Sequence, residues 1–175
     1  QTYYYICQPH VTSGMKGIII ANTPPVNGCT DSTALNYNPN AVIDDGSCTY
    51  PMTYVPDDNF EAYLEFNGMG DGIWNNDYVI TQNITNVDTL SIASQYIADL
   101  TGIADFNALT YLNCNSNQLT ALDVSTNTAL TFLWCFDNQL TALDVSGVTA
   151  LTYLNCSYNQ LTTLDVSGAA ALTEL

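Results

Sequence analysis

Six oxygen-bearing side chains crowd one 15-residue stretch: Asp31, Asn36, Asn38, Asn40, Asp44 and Asp45. Calcium takes six to eight oxygen ligands, and Asp44-Asp45-Gly46 sets two carboxylates beside a turn. The spacing is not that of an EF-hand, because the terminal Glu is missing. The same residue types build Asx turns, so two readings stand, a calcium site and a turn-rich loop. A second group is Asn67, Asp71, Asn75, Asn76 and Asp77. It has suitable donors without a recognised metal spacing, and a polar loop is expected there. A third set, Asp123, Asp144 and Asp165, recurs every 21 residues. If these carboxylates lie about 5 Å apart they repel by roughly 0.8 kcal/mol per pair at the dielectric of water. Backbone N–H groups, protons or a cation must offset that, and turn capping is the expected role.

Other chemistry is closed to this chain. Of its 175 residues 17 are acidic, one is basic (Lys16), and the formal charge is −16. Nucleic-acid binding needs several cations to displace counterions from phosphates. The field repels polyanions and anionic membranes. No GxxxxGK[ST] or GxGxxG loop is present. Acid–base catalysis would have to use carboxylates, tyrosines or the single His10, and no nucleophile–base–orienter set converges. No catalytic residue is assigned. Hydrophobic content is 47%, enough for a packed core. No apolar run approaches the ~18 residues of a membrane span.

The element that must position these groups is a repeat. Residues 109–129, 130–150 and 151–171 read LTYLNCNSNQLTALDVSTNTA, LTFLWCFDNQLTALDVSGVTA and LTYLNCSYNQLTTLDVSGAAA. Residues 87–108 fit a degenerate 22-residue version through Val87, Leu90, Ile92, Ile97 and Leu100, and a further copy opens at Leu172. The pattern LxxLxCxxNxLxxLxV resembles the leucine-rich repeat in its short bacterial form. The resemblance implies a β-solenoid with a parallel ladder. The physics agrees: Leu112 and Cys114 share one face of a strand. Leu119, Leu122 and Val124 supply a second inward set, and only stacked coils can bury such faces. Asn117, Asn138 and Asn159 sit where the chain leaves the strand, where their amides can bond backbone of adjacent coils. An open solenoid edge is sticky. A continuation of the chain, or further copies of itself, is therefore expected to cover the edge near Leu175.

Side chains alternating with the inward pair point outward. Tyr111, Phe132 and Tyr153 should form one row, with Trp134 and Phe136 beside it. Exposed aromatic patches mark recognition, and in leucine-rich repeats the concave sheet is the usual binding surface. A neutral glycan or a protein ligand would suit a face without positive charge. Cross-strand packing that only stabilises the ladder is the alternative.

Upstream, residues 51–86 are expected to form a helical cap. Asp58 with Glu61 reads as a capping box after Pro56. Phe60, Tyr63, Leu64 and Phe66 give an amphipathic face, and Gly68, Gly70 and Gly72 end it. Residues 28–48, GCTDSTALNYNPNAVIDDGSC, resemble a cysteine-bracketed module of large secreted proteins from bacteria that use type IX secretion. A module of that size (taken as 28–50) cannot bury a core. A Cys29–Cys48 disulfide and an oxidising compartment are therefore expected. Cys114, Cys135 and Cys156 fall at one repeat position. Parallel neighbours place Cβ atoms ~4.8 Å apart, beyond disulfide range, so buried free thiols are expected. A tetrahedral metal site does not fit a linear stack without His. Cys7 is left over, and residues 1–27 read as strands and a linker without assigned role. Asp31-Ser32-Thr33 and Asp88-Thr89-Leu90 resemble the O-glycan acceptor sites of the same bacterial group, at Ser32 and Thr89.

These readings converge on an extracellular or surface-displayed, non-enzymatic binding or adhesion protein, with calcium as the one candidate cofactor. The repeats occupy 87–175. A structural stalk or filament subunit, and a targeting module of a larger secreted hydrolase, are the alternatives.

Overall fold

The computed structural model describes residues 24–175 and, within the first 23, the backbone of two strands. These strands, β1 (Thr2–Ile6) and β2 (Lys16–Ile20), pair antiparallel with Thr2 opposite Ile20. Cys7 and His10 lie outside the described residues. The chain divides into two compact units, Gln1–Thr49 and Tyr50–Leu175.

The second unit is a β-solenoid. Strands β5 (Thr89–Ser91), β6 (Tyr111–Asn113), β7 (Phe132–Trp134) and β9 (Tyr153–Asn155) form a parallel sheet in that order. Its register puts Leu90, Leu112, Leu133 and Leu154 in one line. All four are at most 1% exposed, and burying each contributes roughly 1.5–3 kcal/mol. On the return side, β8 (Ala142–Asp144) pairs in parallel with β10 (Thr163–Asp165). Leu119, Leu122 and Val124 are buried between the two layers, with their counterparts Leu140, Leu143 and Val145. Corners are tied by a column of threonines. Thr131 Oγ1 donates to the Thr110 carbonyl at 3.0 Å, and Thr152 Oγ1 to Thr131 at 2.9 Å.

The start of the solenoid differs in part from the sequence expectation. Helix α1 spans Asp58–Phe66, but its N-cap is Asp57, so the expected capping box on Asp58 does not form. Asp57 wins because both its oxygens find work. Oδ1 accepts the N–H groups of Asn59 and Phe60, each at 3.0 Å. Oδ2 accepts those of Ala98 at 2.7 Å and Asp99 at 3.1 Å, fixing the helix to the first coil. Phe60 and Leu64 are buried and Tyr63 half-buried, whereas Phe66, the last helical residue, is 82% exposed. The helix ends at Asn67, and Gly68 takes a left-handed φ of +72°.

The cap also contains a sheet that the residue pattern did not announce. β3 (Met52–Tyr54) pairs antiparallel with β4 (Tyr78–Ile80), which runs into the short helix α2 (Thr81–Ile84). Thr53 faces inward, and its hydroxyl donates to Asp105 Oδ2 at 2.6 Å beside a 3-10 turn at Ile103–Asp105. Gly102 opens that turn with φ +100°. A Cβ there would stand 2.8 Å from the Tyr54 carbonyl oxygen, so glycine is required.

In the first unit Cys29 and Cys48 form the disulfide. Around it, Asn38 N–H bonds the Cys29 carbonyl at 2.9 Å and Leu35 N–H bonds Thr49 at 2.8 Å. Of the described apolar side chains in this unit only Cys29 and Ala34 are buried.

Candidate functional site

Strand pleating turns every second side chain of the four-stranded sheet outward. The register therefore aligns Thr89, Tyr111, Phe132 and Tyr153 in one row and Ser91, Asn113, Trp134 and Asn155 in the next. The tyrosine and phenylalanine rings stack nearly parallel: Tyr111 to Phe132 at 4.9 Å and 12°, Phe132 to Tyr153 at 4.4 Å and 8°. Trp134 leans on this column at 5.1 Å and 57° from Phe132, and meets Phe136 edge-on at 6.3 Å. The structure thus brings together all five aromatic residues singled out in the sequence. Each is half-buried. The indole Nε1 of Trp134 is covered yet has no hydrogen-bond acceptor.

Two buried ladders hold this face rigid. Cys114 and Cys135 are buried free thiols and Cys156 is half-buried. Burial pushes the Cys114 thiol up to about 12. Burial, then the neighbouring thiols, raise Cys135 further, and burial raises Cys156. A thiolate is the reactive form, so these groups pack as small hydrophobes. The second ladder is Asn117, Asn138 and Asn159, whose amides bridge successive coils. Asn117 Oδ1 accepts the N–H of Ile97 at 3.0 Å, and its Nδ2 donates to the carbonyls of Ile92 and Cys114.

The aspartate column serves turns. Oδ1 of Asp123, Asp144 and Asp165 accepts the N–H of Ser125, Ser146 and Ser167 at 3.0, 2.8 and 2.9 Å. Hydrogen bonds from the side chain and backbone of the following serine hold Asp123 and Asp165 below the usual aspartate range. Their folded values lie below the unfolded ones, so the ionised groups stabilise the fold above about pH 4. That contribution is lost as pH falls through the folded values. Replacing Asp123→Asn together with Asp165→Asn keeps an acceptor for each serine N–H and removes the titration. Urea melts between pH 7 and pH 2 should then show a shallower acid decline than the parent. An unchanged slope refutes the assignment.

The donors of the bracketed module are spread over separate turns. Asp31 Oδ1 accepts Thr33 N–H at 2.9 Å, Asn38 Oδ1 accepts Asn40 N–H at 3.0 Å, Asp44 Oδ1 accepts Gly46 N–H at 3.3 Å and Asp45 Oδ1 accepts Ser47 N–H at 3.0 Å. Asn36 Oδ1 accepts Thr49 N–H at 2.9 Å, and its Nδ2 donates to Ser47 O at 2.5 Å. Ser32 and Thr89 are both exposed.

The loop after α1 is organised by two helix glutamates, of which the sequence reading gave Glu61 only a capping role and did not single out Glu65. Glu61, 1% exposed, accepts the N–H groups of Asn76 at 3.0 Å and Asp77 at 3.2 Å. Glu65 accepts those of Asp71 at 2.7 Å and Gly72 at 3.0 Å. The available signal was the spacing of four, which puts both on one helix face ahead of a Gly/Asn-rich loop. Among the described residues, Asp58, Glu61 and Asp77 form the one set of three carboxylates with oxygens within 4.8 Å of one another. Asp31, Asp44 and Asp45 form no such set.

The repeat pattern, the parallel ladder and the buried thiols now have counterparts in known proteins. The family of leucine-rich repeats (two copies) matches residues 128–169. The solenoid that contains these residues has the leucine-rich-repeat fold. It is similar to the functional domain of InlJ from Listeria monocytogenes, described as including a cysteine ladder, with 40% identity and a TM-score of 0.62. That likeness covers 72% of this chain and 28% of the other. An internalin, inlF, from the same organism shares the fold at 22% identity and a TM-score of 0.53, over 70% of this chain and 43% of its own. This repeat protein therefore spans less than half the length of either. No curated protein sequence matches it. Among the described residues of this repeat protein, no helix is long and apolar enough to cross a membrane.

Proposed function

We propose that this protein is an extracellular, non-enzymatic binding protein that captures a protein ligand on the aromatic face of its four-stranded sheet. The observation that carries this reading is the outward cluster of Tyr111, Phe132, Trp134, Phe136 and Tyr153. Its geometry favours protein over sugar. Sugar rings stack on open aromatic faces, but Tyr111, Phe132 and Tyr153 spend their faces on each other, at 12° and 8°, and present edges. Ring edges and a rigid, uncharged platform suit apolar and aromatic side chains of a partner. A carbonyl from the ligand can meet the orphan Trp134 Nε1–H after a small turn of the ring. The module's disulfide supports an oxidising compartment, and so a place outside the cytoplasm.

Replacing Trp134→Ser and Phe136→Ser removes two aromatic anchors. Such anchors typically cost about 2 kcal/mol or more each in binding, roughly thirtyfold. Pull-down from host or community surface proteins, followed by titration of the captured partner, should show that loss while the melting temperature moves by only a few degrees. Unchanged affinity would sink the proposal. Calcium in the bracketed module belongs to the same reading of an extracellular protein. Titration with millimolar calcium should raise the module's stability, and the absence of any heat or shift removes that part.

A further inference from the structure

The row beside the aromatic column runs Ser91, Asn113, Trp134 and Asn155 across the four strands. Its polar atoms are one-sided. Asn113 Oδ1 accepts the N–H of Asn115 at 3.2 Å, and Asn155 Oδ1 accepts the N–H and hydroxyl of Ser157 at 3.1 and 2.7 Å. Both acceptors are spent on turns, whereas neither Nδ2 has a partner among the described residues. Between them stands Trp134, whose Nε1 also lacks an acceptor. Three adjacent strands therefore line up three N–H donors and no free side-chain amide oxygen. A bound segment that turns its own N–H groups to this row finds no acceptor in it, at a cost of about 1–3 kcal/mol each. The indole is inclined by 57° to Phe132 and 62° to Tyr153, so the donor row and the ring column meet at an angle. Asn113 and Asn155 are two strands apart, a separation of about 9.4–9.8 Å in a sheet. A polyproline II helix returns the same face every three residues, about 9.3 Å.

Resting on the reading of this face as the binding site, we propose that the part of the partner it takes is a proline-rich segment in the polyproline II form, laid across the strands along the two rows. Proline has no N–H to leave unpaired, and its carbonyls are free to accept. Carbonyls three residues apart meet Asn113 Nδ2 and Asn155 Nδ2. An intervening carbonyl is left for Trp134 Nε1–H once the ring turns. The proline rings pack on the edges of Tyr111, Phe132 and Tyr153 and against the inclined indole. Such a segment is already extended when free, so docking it costs little conformational entropy, and aromatic-lined surfaces suit it.

The test uses the whole chain and nonaproline, beside two peptides of equal length: a flexible Gly-Ser peptide and an alternating Thr-Val peptide, extended but rich in N–H groups. Nonaproline should bind at millimolar concentration and the other two should not. Asn113→Asp with Asn155→Asp keeps an acceptor for each turn and removes both donors, so it should weaken binding about tenfold or more. Trp134→Phe removes the indole N–H and should cost about fivefold. Gln139→Glu makes the same amide-to-carboxylate change at an exposed position outside the sheet and should leave affinity within about twofold. The chain has two tryptophans. Of their indole N–H resonances, the one missing in Trp134→Phe should shift as nonaproline is added. Equal binding of the Thr-Val peptide, unchanged affinity in the aspartate pair, or a shift confined to Trp74 overturns the proposal. No binding of nonaproline overturns it too, while loss of the captured protein in Trp134→Ser/Phe136→Ser would still uphold the aromatic face as the binding site. If the aspartate pair fails to fold, Trp134→Phe and the indole resonance decide.

Discussion

Asn138→Ala is expected to destabilise the solenoid by roughly 3 kcal/mol, as much as truncating a buried leucine of the repeats. Asn138 is 8% exposed and ties two coils together. Its Oδ1 accepts Leu119 N–H at 3.0 Å, and its Nδ2 donates to the carbonyls of Cys114 at 3.0 Å, Cys135 at 3.2 Å and Phe136 at 3.3 Å. The carbonyls keep other donors when Asn138 is lost: Asn117 on Cys114, Asn159 on Cys135, and the Ser116 N–H on Phe136. Leu119 N–H keeps none of these and becomes a buried orphan, which costs about 1–3 kcal/mol alone. The lost side chain leaves a void beside it. Asn159→Ala should cost less, since Asn159 is only half-buried. Equal losses at the two positions, or under about 1 kcal/mol at Asn138, in urea melts would refute this account.

The same site separates acceptor from donor. Asn138→Asp keeps the acceptor for Leu119 but sets a buried carboxylate against three carbonyls. Burial and those dipoles raise the pKa of the new group, so it is destabilising at pH 7 and recovers as pH falls and the carboxyl regains a proton to donate. Asn138→Ala has no such pH dependence. This contrast checks the hydrogen-bond reading independently of cavity size.

How far residues announce their place depends on whether they repeat. Leu112, Cys114, Asn117 and Asp123 recur at a fixed period, and a period of 21 has one cheap solution, stacking in register. Their strand face, burial and turn roles, and the outward aromatic row, were therefore legible. The cap occurs once, and competition there is local. Asp57 and Asp58 are equally good caps in isolation. The choice is made by Ala98 and Asp99, whose N–H groups arrive from 41 and 42 residues away. Likewise Met52–Tyr54 is too short to show alternation, and only its pairing with Tyr78–Ile80 makes it a strand. Glu61 read as a helix-start residue because sequence distance hides Asn76 and Asp77. Phe66 read as apolar face, yet the last helical residue lies beyond the surface that Phe60 and Leu64 bury.

The bracketed module should lose its fold outright in a Cys29→Ala/Cys48→Ala variant, while the repeats melt as before. Its described apolar side chains bury almost nothing besides Cys29 and Ala34; Leu35 and Val42 are 71 and 70% exposed. A unit with so little core cannot offset its backbone entropy by burial. A cross-link spanning 19 residues restricts the unfolded chain by about 3 kcal/mol. That is of the same order as the whole stability expected for so small a unit, so removing it leaves the unfolded form dominant. The repeats keep their own core, from Val55 to Leu172. Amide exchange should show residues 28–48 unprotected in the variant, with Leu112, Leu133 and Leu154 still protected. Reduction of the parent should give the same pattern, because the ladder thiols are buried and unreactive and contribute no competing disulfide. Retained protection in the module after either treatment would mean that its Asx turns, or a cation bound among them, hold it without the covalent bond.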